Sequence, residues 1–145
     1  MGKEVKILSI ETSCDETAAA VLSMESGKGF PKIKTLSSVV KSQLKLHSKM
    51  GGVVPEAAAR EHLKNIRPVV EKALNDAKVN LDNIDYIAPT VGPGLIPSLL
   101  IGVEFAKALS LASKKPIIPV NHMLGHLYSP LKDKGLKIKD NLGIS

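Results

Sequence analysis

Aromatic residues are scarce in this chain, with two Tyr, two Phe and no Trp in 145 residues. Any core therefore has to be assembled from Ile, Leu, Val and Ala. Cysteine is scarcer still. Cys14 stands alone, so no internal disulfide can form. That argues against a stapled secreted scaffold and for a reducing compartment. The opening stretch MGKEVKILSIETSCDET is broken by Lys3, Glu4, Lys6 and Glu11. It holds no apolar run long enough for a signal peptide or a membrane span. Internal repeats and low-complexity linkers are also lacking. The expectation is a soluble, cytoplasmic protein with no membrane partner.

What is present fits a globular chain: 43% of residues are hydrophobic and 23% charged, too apolar for disorder. A chain of this length makes about one domain and can hide roughly two-thirds of its unfolded surface. The formal net charge is +6. A basic surface is consistent with a nucleic-acid partner, and equally with Lys-rich loops that keep a protein in solution. No aromatic-interleaved basic stripe decides between them.

Two apolar runs, Val5 to Glu11 and Thr17 to Leu22, flank the polar corner Thr12-Ser13-Cys14-Asp15-Glu16 and read as a β-hairpin. Ile33 to Lys41 reads as a third strand, and Ser42 to Gly52 as loop or short helix. Pro55 to Ala77 predicts a long helix, with Pro55 and Glu56 suited to its first turn. Leu63, Ile66, Val70, Ala73 and Ala77 recur at helical spacing and predict its buried face. Then follow a strand over Ile84 to Thr90, the Gly92-Pro93-Gly94 turn, and an apolar helix from about Ile96 to Ala112. A strand over Pro116 to Val120 comes next. After it, Asn121 can cap a helix that carries His122 and His126. Lys132 to Asp140 reads as a charged loop, and Leu142 to Ser145 as the start of another apolar run. The order β-β-β-α-β-α-β predicts an α/β fold, a mixed sheet flanked by helices. It resembles the ribonuclease H-like lobe of the actin, Hsp70 and sugar-kinase superfamily.

Three motifs carry chemistry. In His122-Met-Leu-Gly-His126 the two imidazoles lie four residues apart, one helical turn, on one face. So placed they can share zinc or iron, given at least one further ligand; two surface histidines near a helix start would look the same. A zinc-protease reading fails because H-E-x-x-H needs Glu where Met123 stands. In the corner Glu11 to Thr17, hydroxyls and acids can meet phosphates or a metal-bound group, or can merely satisfy a polar turn. Gly92-Pro-Gly94 imitates the dinucleotide fingerprint. However, Pro97 occupies the third small position and no acid follows at the required distance, so the turn is read only as bringing backbone close to a ligand. Cys14 has no His nearby in sequence and reads as structural rather than nucleophilic.

Taken together, IETSCDETA, SQLKLHSKMGGVVPEAAAREH, VGPGLIPSLLIGVEFAKAL and PVNHMLGH resemble the tRNA N6-adenosine threonylcarbamoyltransferase family, formerly labelled O-sialoglycoprotein endopeptidases. The resemblance covers nearly the whole chain. It implies a transferase that moves threonylcarbamoyl from threonylcarbamoyl adenylate to N6 of the tRNA adenosine beside the anticodon. It implies His122 and His126 as metal ligands, for iron before zinc, and Asp15 and Glu16 as the acidic corner facing the cleft. It also implies threonylcarbamoyl adenylate or ATP as ligand. Implied partners are tRNA, a related dimerising lobe and an ATPase, with a homodimer as a further expectation. Departures from the family pattern are Leu124 in place of Glu, Met50 in place of an aromatic and Pro97 in place of a small residue. The family is about twice as long. On that pattern residues 1–133 form the first lobe without its closing helix, and residues 134–145 begin the second. The glycine-rich phosphate turn and a third metal ligand, an Asp, would lie beyond, so the chain alone is expected to be inactive. The alternative is a non-catalytic dimerisation lobe of the same pathway.

Overall fold

The computed structural model describes residues 4–26 and 31–129. The expected loop at Lys132 to Asp140, the run from Leu142 and the lobe boundary at 133/134 all lie outside those residues.

A long hairpin forms first. Strand β1 (Glu4–Glu11) runs antiparallel to β2 (Glu16–Glu25), and β2 runs antiparallel to β3 (Lys32–Ser42). The short helix α1 (Leu44–Met50) precedes the long helix α2 (Pro55–Asp76). Strand β4 (Tyr86–Gly92) then pairs in parallel with β1. Helix α3 (Ile96–Ser113) crosses back to β5 (Val120–Asn121), which pairs in parallel with β4 and leads into α4 (His122–Tyr128). The sheet order is β3-β2-β1-β4-β5. Two antiparallel pairings on one side and two parallel ones on the other make the sheet mixed.

Alternation builds the core. Along β2, Thr17, Ala19, Val21 and Ser23 are buried while their neighbours are half-exposed, the period-2 signature of a strand. Leu8, Ile10, Val21, Ile84 and Ile87 meet Ile66, Val70 and Ala73 of α2 and Ala106 of α3 in one cluster.

The face of α2 differs from the expected one at Leu63 and at Ala77, which is half-buried just past the helix end. Leu63 is 66% exposed, whereas its neighbour His62 is fully buried. The buried set is Ala58, His62, Ile66, Val69, Val70 and Ala73, so the stripe enters through a histidine because hydrogen bonds await it there. The expected strand at Pro116 to Val120 shrinks to Val120–Asn121 plus an isolated bridge at Ile117. Pro116 and Pro119 lack the N–H groups that a longer ladder would need. Ile84 precedes β4 and closes a 3₁₀ turn over Leu81–Asn83, which Asn80 caps through the Asn83 amide.

Helix α3 has the length and composition of a membrane span. It lies here against α2 and β4, seated on the small buried residues Ser98, Gly102 and Ala106.

Candidate active site: a cleft between the hairpin corner and the histidine helix

The cleft lies between the β1–β2 corner and α4, at the end of the sheet where β1 and β4 finish. It encloses about 450 Å³ and is lined on one side by Glu11, Ser13, Asp15 and Glu16, and on the other by His122 and His126. Both groups of residues singled out in the sequence therefore share one cavity.

Local chemistry explains each placement. Asn121 caps α4: its side-chain oxygen accepts from the amides of Met123 and Leu124, at 2.9 and 3.2 Å. The helix starts at His122, so His122 and His126 project one turn apart on the same side. The corner is drawn in by the turn after β4. The Leu95 amide donates to the Ser13 carbonyl at 2.8 Å. A Cβ on Gly94 would sit 2.6 Å from that same oxygen, so only glycine permits this approach.

Glu11 joins the two walls. Its Oε2 accepts from Thr90 Oγ1 at 2.6 Å and lies 3.1 Å from His122 Nδ1, while its Oε1 accepts from the Ser13 amide at 2.5 Å. Ser13 Oγ is also 3.1 Å from His122 Nδ1. Burial pushes the Glu11 carboxyl up, but the bonds from Ser13, Thr90 and His122 outweigh it and hold the group below its ordinary 4.5. An ionised carboxylate only accepts, so His122 Nδ1 carries a proton, and in the neutral ring Nε2 is then the nitrogen with a lone pair. That Nε2 lies 3.0 Å from Nε2 of His126. Either His126 donates to it, or the two lone pairs converge on a cation. A carboxylate behind a histidine is the usual support of a metal-binding imidazole. The donors suit zinc or iron but fall short of a full set. Among the described residues no third His, Cys, Asp or Glu completes a cluster. These residues fit such an ion only as part of its coordination.

Asp15 is half-exposed and Glu16 exposed at the cleft mouth. Cys14 is exposed beside them, and burial of its sulfur with the charge of Asp15 raises its thiol above the ordinary 9.0. A raised thiol speaks against a nucleophilic Cys14, and its exposure sets it outside the packed core.

Sequence reasoning flagged the corner from Glu11 to Thr17 as a whole, but gave Glu11 and Ser13 no role of their own and read Thr90 only as a strand end. One signal was available: Glu11 is a carboxylate at the end of an apolar strand, where burial demands partners.

Comparison with known proteins follows the same line. Residues 34–139 match the family described as tRNA N6-adenosine threonylcarbamoyltransferase. The chain is 55% identical over 123 residues to the tRNA N6-adenosine threonylcarbamoyltransferase of Thermosipho melanesiensis, covering 85% of this chain and 35% of that protein. It is 53% identical to the one from Fusobacterium nucleatum, again over 85% of this chain and 34% of the relative. The chain thus spans about a third of the length of the curated relatives it matches. Among solved structures, YeaZ from Pseudomonas aeruginosa aligns with a TM-score of 0.63 at 21% identity, over 90% of this chain and 50% of that one. RuvC from Thermus thermophilus aligns with a TM-score of 0.53 at 14% identity, over 82% and 65%. These two likenesses speak for the ribonuclease H-like fold alone. With its motifs, its fold and these relatives in agreement, the chain belongs to the tRNA N6-adenosine threonylcarbamoyltransferase family.

Proposed function

We propose that this chain supplies the metal-binding lobe of a cytoplasmic transferase that moves threonylcarbamoyl from threonylcarbamoyl adenylate to N6 of the tRNA adenosine beside the anticodon. The observation that carries it is the His122 ring, held by Glu11 at 3.1 Å with its free nitrogen 3.0 Å from His126. One divalent ion, iron before zinc, would be held by His122, His126 and a ligand outside the described residues. When bound it supplies charge that orients and polarises the acyl donor.

In the transfer, N6 bonds to the threonylcarbamoyl carbon, the bond from that carbon to the adenylate oxygen breaks, and AMP leaves. The amine loses a proton, and Asp15 or Glu16 at the cleft mouth is placed to receive it. The exocyclic amine is a weak nucleophile, so the larger contribution is positioning. Asp15→Ala in the intact enzyme is expected to abolish transfer, read as modified adenosine in tRNA, while adenylate binding persists. Unchanged turnover would remove Asp15 from the reaction.

A second reading rests on a separate observation. Ile96, Leu100 and Leu111 of α3 are 72%, 52% and 85% exposed, and Leu63 of α2 is 66% exposed. These exposed apolar side chains suit a dimerisation role, either with a second copy or with a related pathway subunit. An ATPase partner belongs to the same reading. Such docking is compatible with catalysis in the cleft, since the two surfaces use different residues.

A further inference from the structure

We propose that His62 is a positioning residue for the cleft, its ring bridging Cys14 and Thr17 so that Asp15 and Glu16 are held between two anchors. The proposal rests on the reading that this corner faces the reacting groups.

His62 lies in α2, is fully buried and contributes nothing to the cleft lining. Its Nε2 is 3.0 Å from the Cys14 carbonyl and its Nδ1 is 2.8 Å from Thr17 Oγ1. A carbonyl only accepts, so Nε2–H donates to Cys14, and Nδ1 of the neutral ring accepts the hydrogen bond from the Thr17 hydroxyl. This is a neutral imidazole with both nitrogens engaged. Burial lowers its pKa below the ordinary 6.5, opposed by the Cys14 carbonyl and by the charges of Glu11 and Asp15, with His47 adding to the fall.

The bridge belongs to a larger clamp. Three successive corner carbonyls are each held from a different element. Ser13 O accepts from the Leu95 amide at 2.8 Å, just before α3. Cys14 O accepts from His62 of α2. Asp15 O accepts from the Gln43 amide at 2.9 Å, just before α1. The outer two donors are backbone and survive any side-chain change. The middle one depends on His62 alone. A buried apolar position would have served packing equally well, and a histidine there leaves two polar atoms that need partners.

Gln and Asn separate the two bonds. Gln at this position can return an N–H near Nε2, restoring the bond to Cys14. Asn reaches only as far as Nδ1 and can restore only the contact with Thr17. Cys14, the one cysteine among these 145 residues and exposed, reports on the corner through its rate of labelling by an aromatic disulfide, followed at that residue by mass spectrometry. A loosened corner removes the burial and the Asp15 charge that hold its thiol up, so labelling accelerates.

In the intact protein, His62→Asn is expected to raise the labelling rate about tenfold and His62→Gln to stay within about twofold of wild type. In the transfer assay, Asn should lower kcat with KM for tRNA little changed, and Gln should restore it. Wild-type labelling in Asn, or equal acceleration in both variants, would overturn the proposal and leave His62 a packing residue. Should neither variant fold, Thr17→Val keeps the ring but removes its second anchor. Faster labelling then supports the bridge, and an unaltered rate overturns it. Labelling needs no turnover, so a wild-type protein without transfer activity counts against the proposed function and leaves the clamp standing.

Discussion

The two walls of the cleft are built on different terms. The hairpin corner is held on all sides: Thr12, Ser13 and Thr17 are buried, and Thr12 Oγ1 donates to the Ser98 carbonyl of α3 at 2.8 Å. The facing wall, α4, has no buried residue at all. Its Met123, Leu124 and Leu127 are more than half exposed, at 60%, 52% and 63%. Among the described residues, what holds it is the Asn121 cap, the ring of His122 and its contacts with β4 and β5. One wall is thus rigid before any ligand arrives, whereas the other is fastened largely by the side chain that would do the chemistry. Pre-organising one side and leaving the other to close on its ligand is a common arrangement at sites that must also release product.

That contrast can be broken at the one residue touching both walls. Glu11→Gln keeps the shape but removes the charge behind His122. Affinity for zinc or iron, read by chelator competition, is expected to fall about 10- to 100-fold. Undiminished affinity would mean that the carboxylate supports the hairpin and not the metal. A comparable effect, read as stability, is expected within the rigid wall. A Cβ at Gly102 would collide with Thr12 Oγ1, so Gly102→Ala should cost about 1–3 kcal/mol in urea unfolding, the usual range for overpacking. If stability holds, α3 can slide away from the corner and the wall is softer than its contacts suggest.

Much of the fold was legible because its signals are periodic. The apolar run Thr17 to Leu22 marks a strand, though not which of its faces is buried, and the helical recurrence of Ile66, Val70 and Ala73 marks a face directly. The deviations come from polar groups that periodicity treats as surface. His62 is buried because Cys14 and Thr17 offer it bonds across 48 and 45 residues of sequence, a pairing no local window contains. The β5 region reads as a strand by composition and fails by hydrogen-bond supply. At the site, His122 and His126 stood out by type and spacing and the corner Glu11 to Thr17 by its acids and hydroxyls; the family resemblance narrowed that corner to Asp15 and Glu16. Within that corner Glu11 was not set apart, since its importance lies in reaching His122 across 111 residues. What tertiary contact creates between distant polar residues leaves little trace in a local pattern.

The smallest expected effect concerns the less anchored wall. Asn121→Ala removes the acceptor for the Met123 and Leu124 amides, and such a cap contributes about 1 kcal/mol. In a helix packed into a core that loss would spread into global stability. Here α4 buries nothing, so the loss should stay local. Hydrogen exchange at Met123 and Leu124 should speed up while the urea midpoint barely moves. The register of His122 and His126 should loosen with it, so metal affinity falls less than in Glu11→Gln. A fall in global stability as large as the local one would show that α4 folds cooperatively with the sheet, and the contrast between the two walls would disappear.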